Sequence, residues 1–382
     1  MKVHWVCPLP THYHAHLFRA ATAELGIPLL VHFLRSSRST HPWRAPSADG
    51  FAARVVSSRM GLDPVLHDAV DNEPGSVFVV AGWQGAVVVP LLVHLMLRRR
   101  AFCIWTDTPK LARRRLRAKE VARAAWLRVV LSRAAAVLGT GRPAVIALEQ
   151  LGSPRERIHD FPFTVDLESF RPGAFGSGGA SRGELVLLSS GRLVNRLKGF
   201  DLALAALARL KQQGFGEFRY RIAGSGPDRP ALEAQAEGLG IERAVEFLGW
   251  VEARDLPDFY RSGDLLLHPA RIDPFPNVVL EAMACGIPVV GSSAAGSVRD
   301  RVEHGRNGFV HETDDIDELA RILIGIAREP TILAELGRRA RLRALEWPAA
   351  RNVAVLREIV ERCEASRGRE NRPMTRRSER RR

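Results

Sequence analysis

Short apolar runs alternate with stretches of helical spacing along most of the chain. In the N-terminal half, the runs that predict strands are residues 3–7, 27–33, 77–80, 102–105 and 135–138. In the C-terminal half, they are residues 184–189, 218–223, 244–248, 264–268, 288–290 and 308–311. Strands that alternate with helices form parallel sheets with helices on both faces. The pattern therefore predicts an α/β protein with doubly wound sheets.

The chain has 382 residues, which is too long for one typical core, so we expect two domains. Residues 171–183 are rich in Gly and Ser, a composition typical of a flexible linker. We therefore predict an N-terminal domain over residues 1–170 and a C-terminal domain over residues 184–346. Residues 347–366 predict a helix that packs back towards the N-terminal domain. Residues 367–382 predict a basic, disordered tail.

One stretch, residues 77–97, carries no formal charge and is followed by three arginines, a layout that would suit a membrane span. Gly82, Gly85 and Pro90 lie within it, and they favour a strand followed by a buried helix. The N-terminus has no signal-peptide layout, and the four cysteines form no C-x-x-C pair. We therefore expect a cytoplasmic protein.

The formal net charge is +14 and the pI is about 10.7, which suggests an anionic partner. Nucleic acid is not expected, because the basic runs lack interleaved aromatic residues and no known module is present. Residues 110–134 predict a basic helix that could lie on an anionic membrane, at the inner face of the cytoplasmic membrane. An exposed, solvated charged helix is an equally good interpretation.

The richest motif is residues 271–290, R-I-D-P-F-P-N-V-V-L-E-A-M-A-C-G-I-P-V-V. It predicts a turn that holds Asp273 and a helix that opens near Asn277, with Glu281 about one helical turn inside. Both carboxylates then lie where a parallel sheet ends and a helix begins. That edge is where open α/β sheets bind ligands and where helix amides attract anions.

Two upstream motifs have the same strand-to-helix setting. Arg192 and Lys198 flank a turn in S-G-R-L-V-N-R-L-K-G-F-D, where two cations could hold a diphosphate. A surface arginine and a helix-start lysine are the alternative interpretation. Gly224 and Gly226 lie in a G-S-G-P turn that lacks the third glycine of a dinucleotide fingerprint. These glycines allow close backbone approach to a ligand, or simply a tight turn.

Together these motifs resemble those of the retaining GT-B glycosyltransferases of family 4, also called glycosyl transferases group 1. The Asp273 and Glu281 pair is similar to the family's E-x7-E signature, with Asp in place of the first Glu. The second string is similar to its G-R-L…K-G motif, with a longer spacing before Lys198. The turn at Gly224 is similar to its G-x-G-P turn. The resemblance extends over nearly the whole chain and is strongest over residues 189–310.

The resemblance implies two Rossmann-like domains that face a cleft, and an enzyme that moves a sugar from a nucleotide diphosphate sugar to an acceptor hydroxyl with retention. It implies no cofactor and no catalytic metal, and a glycan or glycolipid acceptor from bacterial synthesis. The implied catalytic residues are Asp273, Arg192, Lys198 and Asp107, which follows a strand where many relatives carry a histidine. The implied donor-binding residues are Gly191, Gly224, Gly226, Pro276, Asn277 and Glu281.

Three alternatives involve other chemistry. His12, His14 and His16 alternate, but this spacing splits them between helix faces, so we interpret them as cleft-facing side chains and not as metal ligands. Nucleotide-sugar epimerases share the implied architecture and need no acceptor. A non-catalytic carbohydrate-binding relative is the third alternative, and Arg192, Lys198 and Glu281 argue against it.

Overall fold

The structure is a computed structural model, and it describes residues 1–36, 50–58, 61–109, 117–173 and 183–370. Four predicted segments lie wholly or largely outside the described residues. They are the loop over residues 35–49, the start of the basic helix at residues 110–116, most of the linker and the end of the basic tail.

The first half of the chain forms one seven-stranded sheet in which every neighbouring pair of strands is parallel. Its strands are β1 Val3–Cys7, β2 Leu29–Phe33, β3 Ala52–Val55, β4 Val77–Ala81, β5 Phe102–Thr106, β6 Ala136–Gly139 and β7 Ile158–Asp160. Its helices are α1 His12–Glu24, α2 Pro64–Asn72, α3 Val88–Leu97, α4 Arg117–Arg133 and α5 Arg142–Gln150. The strand order is β3-β2-β1-β4-β5-β6-β7.

The second half forms a six-stranded parallel sheet in the order β10-β9-β8-β11-β12-β13. Its strands are β8 Leu185–Ser190, β9 Phe218–Ala223, β10 Val245–Gly249, β11 Leu265–His268, β12 Val289–Ser292 and β13 Gly308–His311. Its helices are α6 Asn195–Lys198, α7 Phe200–Gln212, α8 Arg229–Gly238, α9 Leu256–Arg261, α10 Asn277–Ala284, α11 Gly296–Arg301, α12 Ile316–Arg328 and α13 Ile332–Ala344. A last helix, α14, spans Ala349–Glu370.

Both faces of each sheet are covered, which explains the continuous apolar runs. In β1, Trp5 packs in a cluster with α1 and α14, whereas Val6 packs in a second cluster with α2 and α3. Both side chains are fully buried. Parallel strands that are buried on both faces read as unbroken hydrophobic sequence and not as an alternation. The predicted α/β fold with two Rossmann-like sheets is therefore confirmed.

Helix α14 returns to the first half of the molecule and packs against α1. Val353, Leu356 and Ile359 join the cluster that covers one face of the first sheet. Asn352 donates a hydrogen bond to the carbonyl of Pro162 at 2.7 Å. These apolar and polar contacts join the C-terminal end of the chain to its N-terminal half.

The sequence missed two short edge strands. In β3, which lies at one edge, three of four side chains are exposed, so it has no apolar run to detect. Strand β7 has only three residues, at the other edge. Residues 77–97 form β4 and α3, which confirms the strand-then-helix interpretation. Within the described parts of the chain, no helix is long and apolar enough to cross a membrane.

Candidate active site

The loops at the carboxyl ends of the two sheets carry the candidate residues. In the first sheet, His12 follows β1 and Asp107 follows β5. In the second sheet, Lys198 follows β8 and Asp273 follows β11. The Nε2 atom of His12 lies 3.3 Å from Oε1 of Glu281, a contact between the two halves of the chain. The loops of both sheets therefore face each other across a cleft.

Asp273 lies in the turn between β11 and α10, and its side chain is the centre of an ionic cluster. The ammonium group of Lys198 donates a short hydrogen bond to its Oδ2 atom, and His268 Nε2 lies 3.2 Å from the same oxygen. Asp273 is only 8% exposed, and burial alone would raise its pKa. The hydrogen bond from His268 and the charge of Lys198 outweigh burial and lower the pKa of Asp273 to about 2. The carboxylate is therefore ionised at any physiological pH.

Lys198 is the last residue of α6, a single helical turn that begins at Asn195. Gly199 follows with a φ of 65°, a conformation that glycine adopts without strain. The amides of Arg271 and Ile272 donate to the carbonyl of Leu197 at 2.9 and 3.0 Å. These bonds tie α6 to the turn after β11. The ammonium group of Lys198 therefore lies beside Asp273.

Arg192 lies just after β8, and its side chain is exposed. Among the described residues, no carboxylate forms an ion pair with its guanidinium group. The structure therefore brings Lys198 and Asp273 together but gives no contact between Arg192 and either of them. Its charge remains available at the same edge of the second sheet.

Glu281 lies one turn inside α10, as predicted, and is 2% exposed. Tyr260 of α9 donates a hydrogen bond from its hydroxyl group to Oε2 at 2.7 Å, and His12 contacts Oε1. Burial raises the pKa of Tyr260 well above its ordinary value, and the charge of Glu281 adds to the rise. Tyr260 therefore stays protonated, as the donor role requires. It fixes one oxygen of the Glu281 carboxylate.

The two glycine turns after β8 and β9 interlock through their backbones. Leu193 N donates to Ser225 O at 3.0 Å. A Cβ atom on Gly224 would lie 1.9 Å from Gly191 O, and one on Gly226 would lie 2.3 Å from Leu193 O. Gly224 and Gly226 therefore cannot carry a side chain, because the backbone of the neighbouring loop occupies that space. The absence of side chains at these positions lets the two loops come into close contact.

Pro276 and Asn277 form the start of α10. The backbone of Pro276 is extended, and its carbonyl accepts a hydrogen bond from the Ser297 hydroxyl at 2.8 Å. This bond anchors the first turn of α10 to α11. The free amides of a helix N-terminus favour negative charge. Because Asp273 lies in the turn that leads into α10, the helix begins beside the ionic cluster around Asp273.

Asp107 projects from the end of β5 into the cleft, and its side chain is solvent-accessible. Even so, the surrounding protein replaces much of its solvent and raises the pKa of Asp107 to about 6, and the negative charge of Asp273 adds to the rise. Burial raises the pKa of Tyr13 of α1, and the nearby negative charges of Asp107 and Glu281 add to the rise. Tyr13 therefore belongs to the same region. Asp107, with its raised pKa, therefore lies opposite Asp273, which remains ionised.

Sequence reasoning missed two side chains of the site. His268 ends the apolar run of β11, and a polar residue at the carboxyl end of a buried strand was a usable signal. Tyr260 gave no signal, because its partner Glu281 comes from a different element, whereas His12 was already expected to face the cleft. Within the described ranges, no group of three His, Cys, Asp or Glu side chains is arranged to hold a metal ion. His14 is buried and contacts the carbonyl of Leu9 at 3.0 Å, so the prediction that this histidine faces the cleft is wrong.

The family model for glycosyl transferases group 1 matches residues 173–343. This stretch contains Lys198, Asp273 and Glu281 and most of the second sheet. Residues 173–343 are a glycosyl transferases group 1 domain. The predicted likeness to that group is confirmed for this part of the chain.

Relatives and solved structures agree with this domain. The chain is 31% identical over 311 residues to a D-inositol 3-phosphate glycosyltransferase of Geodermatophilus obscurus, a match that covers 74% of this chain and 66% of the relative. It is 30% identical over 162 residues to an uncharacterized glycosyltransferase of Haemophilus influenzae, covering 42% of this chain and 45% of the relative. The first relatives are thus matched over about half of their own length.

The fold is similar to that of Anabaena HepE, whose crystal structure was determined in complex with UDP. The TM-score is 0.73 at 19% identity, and the match covers 96% of this chain and all of that chain. The structural neighbours are GT-B glycosyltransferases, which confirms the predicted arrangement of two Rossmann-like sheets at the level of the fold.

Proposed function

We propose that this protein is a glycosyltransferase that moves a sugar from a nucleotide diphosphate sugar to an acceptor hydroxyl with retention of anomeric configuration. The observation that carries the proposal is the placement of Lys198, Asp273 and Glu281 at one edge of a group 1 domain. The other half of the chain faces this edge through His12 and Asp107. A donor held by the second sheet would therefore meet an acceptor held by the first.

In the proposed reaction, the bond between the sugar and the diphosphate breaks, and negative charge builds on the leaving phosphate oxygen. Lys198, Arg192 and the first amides of α10 neutralise this charge. The acceptor oxygen forms the new bond to the anomeric carbon on the same face of the sugar, and the leaving phosphate oxygen takes the proton of that hydroxyl, so that no base from the protein is needed. Loss of one such contact is expected to cost about 3 kcal/mol of barrier, by analogy with oxyanion-hole donors.

Glu281 is proposed to accept hydrogen bonds from the ribose hydroxyls of the donor, because one carboxylate suits two vicinal donors. Its Oε2 atom already accepts from Tyr260, and His12 contacts Oε1. Each carboxylate oxygen has two acceptor sites, so Oε1 can accept a hydrogen bond from a ribose hydroxyl beside or in place of His12.

Asp273 is proposed to contact the transferred sugar, and Asp107 the sugar or the acceptor. Only one oxygen of Asp273 is occupied by Lys198 and His268, which leaves Oδ1 for a ligand. With a pKa of about 6, Asp107 is mostly a carboxylate at neutral pH and can accept a hydrogen bond from a hydroxyl group. Gly191, Gly224 and Gly226 shape the donor side indirectly, by holding two loops together.

A glycan or glycolipid acceptor from bacterial synthesis, and a cytoplasmic location with peripheral contact to an anionic membrane, complete the proposal. The net charge of +14 supports the membrane contact. So do the exposed side chains Val121 and Val129 on α4. Basic helices with exposed apolar residues bind anionic bilayers at their surface.

The membrane contact predicts that the protein sediments with phosphatidylglycerol vesicles and is released by salt, because salt screens surface charge. Val121→Asp is expected to weaken this binding at least several-fold. Leu342→Asp is the control, since Leu342 is an exposed apolar residue on α13 of the other half. Equal binding to neutral phosphatidylcholine vesicles, or none to either, would contradict the membrane contact.

The experiment that tests the enzymatic proposal has two stages. A panel of nucleotide diphosphate sugars is screened by thermal shift, because a ligand at one hundred times its Kd stabilises the native state by about 2.7 kcal/mol. Each donor that binds is then incubated with and without candidate acceptors. Transfer with retention supports the proposal. Conversion of the donor sugar into its epimer without an acceptor would identify an epimerase. Binding of a donor without any reaction would identify a binding module.

A further inference from the structure

The Oδ2 atom of Asp273 accepts two hydrogen bonds of different character. One donor is the flexible, charged side chain of Lys198, and the other is His268. His268 is the last residue of β11, it is paired in register with Gly291 of β12, and it is 4% exposed. Because the strand and its burial fix the imidazole ring, His268 is the rigid member of the pair.

Lys198 has two anionic partners under the proposed function. In the structure it binds Asp273, and with a donor present it must also bind the diphosphate. Its charge is then shared, and the longer lysine side chain is free to turn towards the phosphate. Asp273 would lose part of its support at the moment when it has to contact the sugar. A second donor that does not leave is therefore needed on the same oxygen.

His268 meets this requirement without adding charge. Burial lowers the pKa of His268, so the ring is neutral at pH 7 and carries its proton on Nε2, the atom that faces Asp273. A second cation at this position would compete with Lys198 for the diphosphate. The other charged groups that face Asp273 are Lys198 on its own side and Asp107 across the cleft.

We propose that His268 is a positioning residue that holds the carboxylate of Asp273 in place while Lys198 turns to the donor diphosphate. The inference rests on the proposed function and deepens it. It also explains how an aspartate serves where the family resemblance implies a glutamate. The aspartate side chain is shorter than that of glutamate and can adjust less towards a ligand, so a rigid neighbour has to fix its orientation.

The test compares three variants of His268 in the full-length protein. Gln places an amide nitrogen close to the position of Nε2 and keeps the hydrogen bond. Leu removes the donor at similar volume, and Asn is polar but too short to reach Oδ2. Two quantities are measured: the pKa of Asp273 from the carbon-13 shift of its carboxyl group without a donor, and kcat and KM for the nucleotide sugar.

His268→Leu is expected to raise the pKa of Asp273 and to lower kcat about ten-fold or more, with KM for the donor changed less than about two-fold. His268→Gln is expected to restore both quantities towards the wild type. If the Leu variant does not fold, His268→Asn takes its place with the same expectation. An unchanged Asp273 pKa or an unchanged kcat in the Leu or Asn variant would overturn the inference.

The two readouts separate this inference from the proposed function. If the wild-type protein transfers no sugar from any donor, the proposed function fails, and the Asp273 titration still decides whether His268 holds that carboxylate. If transfer occurs and the pKa of Asp273 is the same in the His268 variants as in the wild type, the inference fails while the proposed function stands.

Discussion

Asp273 is a nearly buried carboxylate that remains ionised. Its environment removes water, which favours the neutral acid, but two donors on one oxygen reverse the balance and leave its pKa at about 2. The same ion pair neutralises Lys198 until a more negative partner arrives. Asp273 therefore restrains Lys198 in addition to its proposed contact with the sugar.

This arrangement predicts opposite effects of Asp273→Asn on binding and on turnover. The amide cannot neutralise Lys198, so free nucleoside diphosphate should bind as well as to the wild type, or more tightly. Turnover should fall at least ten-fold, because the contact with the transferred sugar is altered. The measurements are calorimetric titration with the nucleoside diphosphate and steady-state kinetics.

Asp317→Asn is the control for this substitution, because Asp317 is a highly exposed aspartate on α12. It should change neither quantity. If Asp273→Asn folds and keeps wild-type turnover, Asp273 is a structural cap and has no contact with the sugar.

The sequence was sufficient to predict the positions of Asp273, Glu281 and Lys198, because each lies in a local motif at a strand end. It could not predict that Lys198 binds Asp273 without a ligand. That contact depends on the path of α6, which is fixed by hydrogen bonds to a turn more than seventy residues away. Tyr260 was missed for the same reason.

Among the elements, the proposed donor side depends on two loops that touch through glycines. A Cβ atom on Gly226 would overlap the carbonyl and the amide of Leu193. Gly226→Ala is therefore expected to destabilise the protein by about 1–3 kcal/mol and to weaken donor binding. Chemical unfolding and donor titration measure the two effects.

Gly238 offers a matched control in the same half of the molecule. It is the last residue of α8, and a Cβ atom there would meet no other atom within 4 Å. Gly238→Ala should be neutral or stabilising by up to about 1 kcal/mol, because alanine is the better helix former. Equal effects of the two substitutions would show that the loops do not interlock in solution.

A second feature at this scale is a buried chain of hydrogen bonds across β1, β2 and β3. Arg54 donates to Nδ1 of His32, so the proton of His32 lies on Nε2 and is donated to His4. His4 in turn donates to Glu73 at 3.0 Å. The chain is complete only when both histidines are neutral. Burial accordingly lowers the pKa of His32 to about 3 and also lowers that of His4.

These histidines predict that the protein loses stability in acid. Their folded-state pKa values lie below the unfolded value of about 6.5, so the unfolded chain binds more protons and stability rises with pH. The contribution is complete above pH 6.5 and is lost as the pH falls towards 3. Each histidine adds a slope of up to about 1.4 kcal/mol per pH unit. Asp107 opposes this trend below about pH 6, because its folded-state pKa is raised.

Unfolding in urea between pH 8 and pH 4.5 measures the net slope. His14 permits a separate test, since burial lowers its pKa to about 4 and aromatic rings surround it. His14→Phe removes one titrating group and should reduce the slope by up to about 1.4 kcal/mol per pH unit. A free energy of unfolding that is flat from pH 7 to pH 5 in the wild type would contradict the account.

Apolar periodicity was sufficient to predict most strands and helices, because core strands are covered on both faces and core helices on one. It failed at the edges. The exposed residues of β3 and the three residues of β7 bury too little surface to leave a pattern, and their pairing depends on the neighbouring strand.

At the scale of the whole molecule, the turn of the donor side is also part of the contact between the halves. The guanidinium of Arg301 lies 4.7 Å from the ring centre of Phe275 and 4.9 Å from that of Trp347. Arg301 is 1% exposed. Phe275 also fills the space where Gly141 lacks a side chain. Phe275, two residues beyond Asp273, therefore contacts the opposite half of the chain. The relative position of the two halves consequently affects the site directly.

Under the proposed function, Lys198 and Arg192 bind a diphosphate that gains charge in the reaction, whereas Glu281 binds a ribose that does not. A contact that is stronger in the transition state acts on kcat, and a contact of constant strength acts on KM. Steady-state kinetics of Lys198→Ala, Arg192→Ala, their double variant and Glu281→Gln separate the two, once each variant is shown to fold.

Lys198→Ala and Arg192→Ala are each expected to depress kcat strongly, beyond any change in KM. Their effects should not be additive, because both side chains serve one diphosphate. Glu281→Gln should raise KM for the donor with a milder effect on kcat. If Lys198→Ala and Arg192→Ala both leave kcat intact, the diphosphate is bound elsewhere and the assignment of the site is wrong.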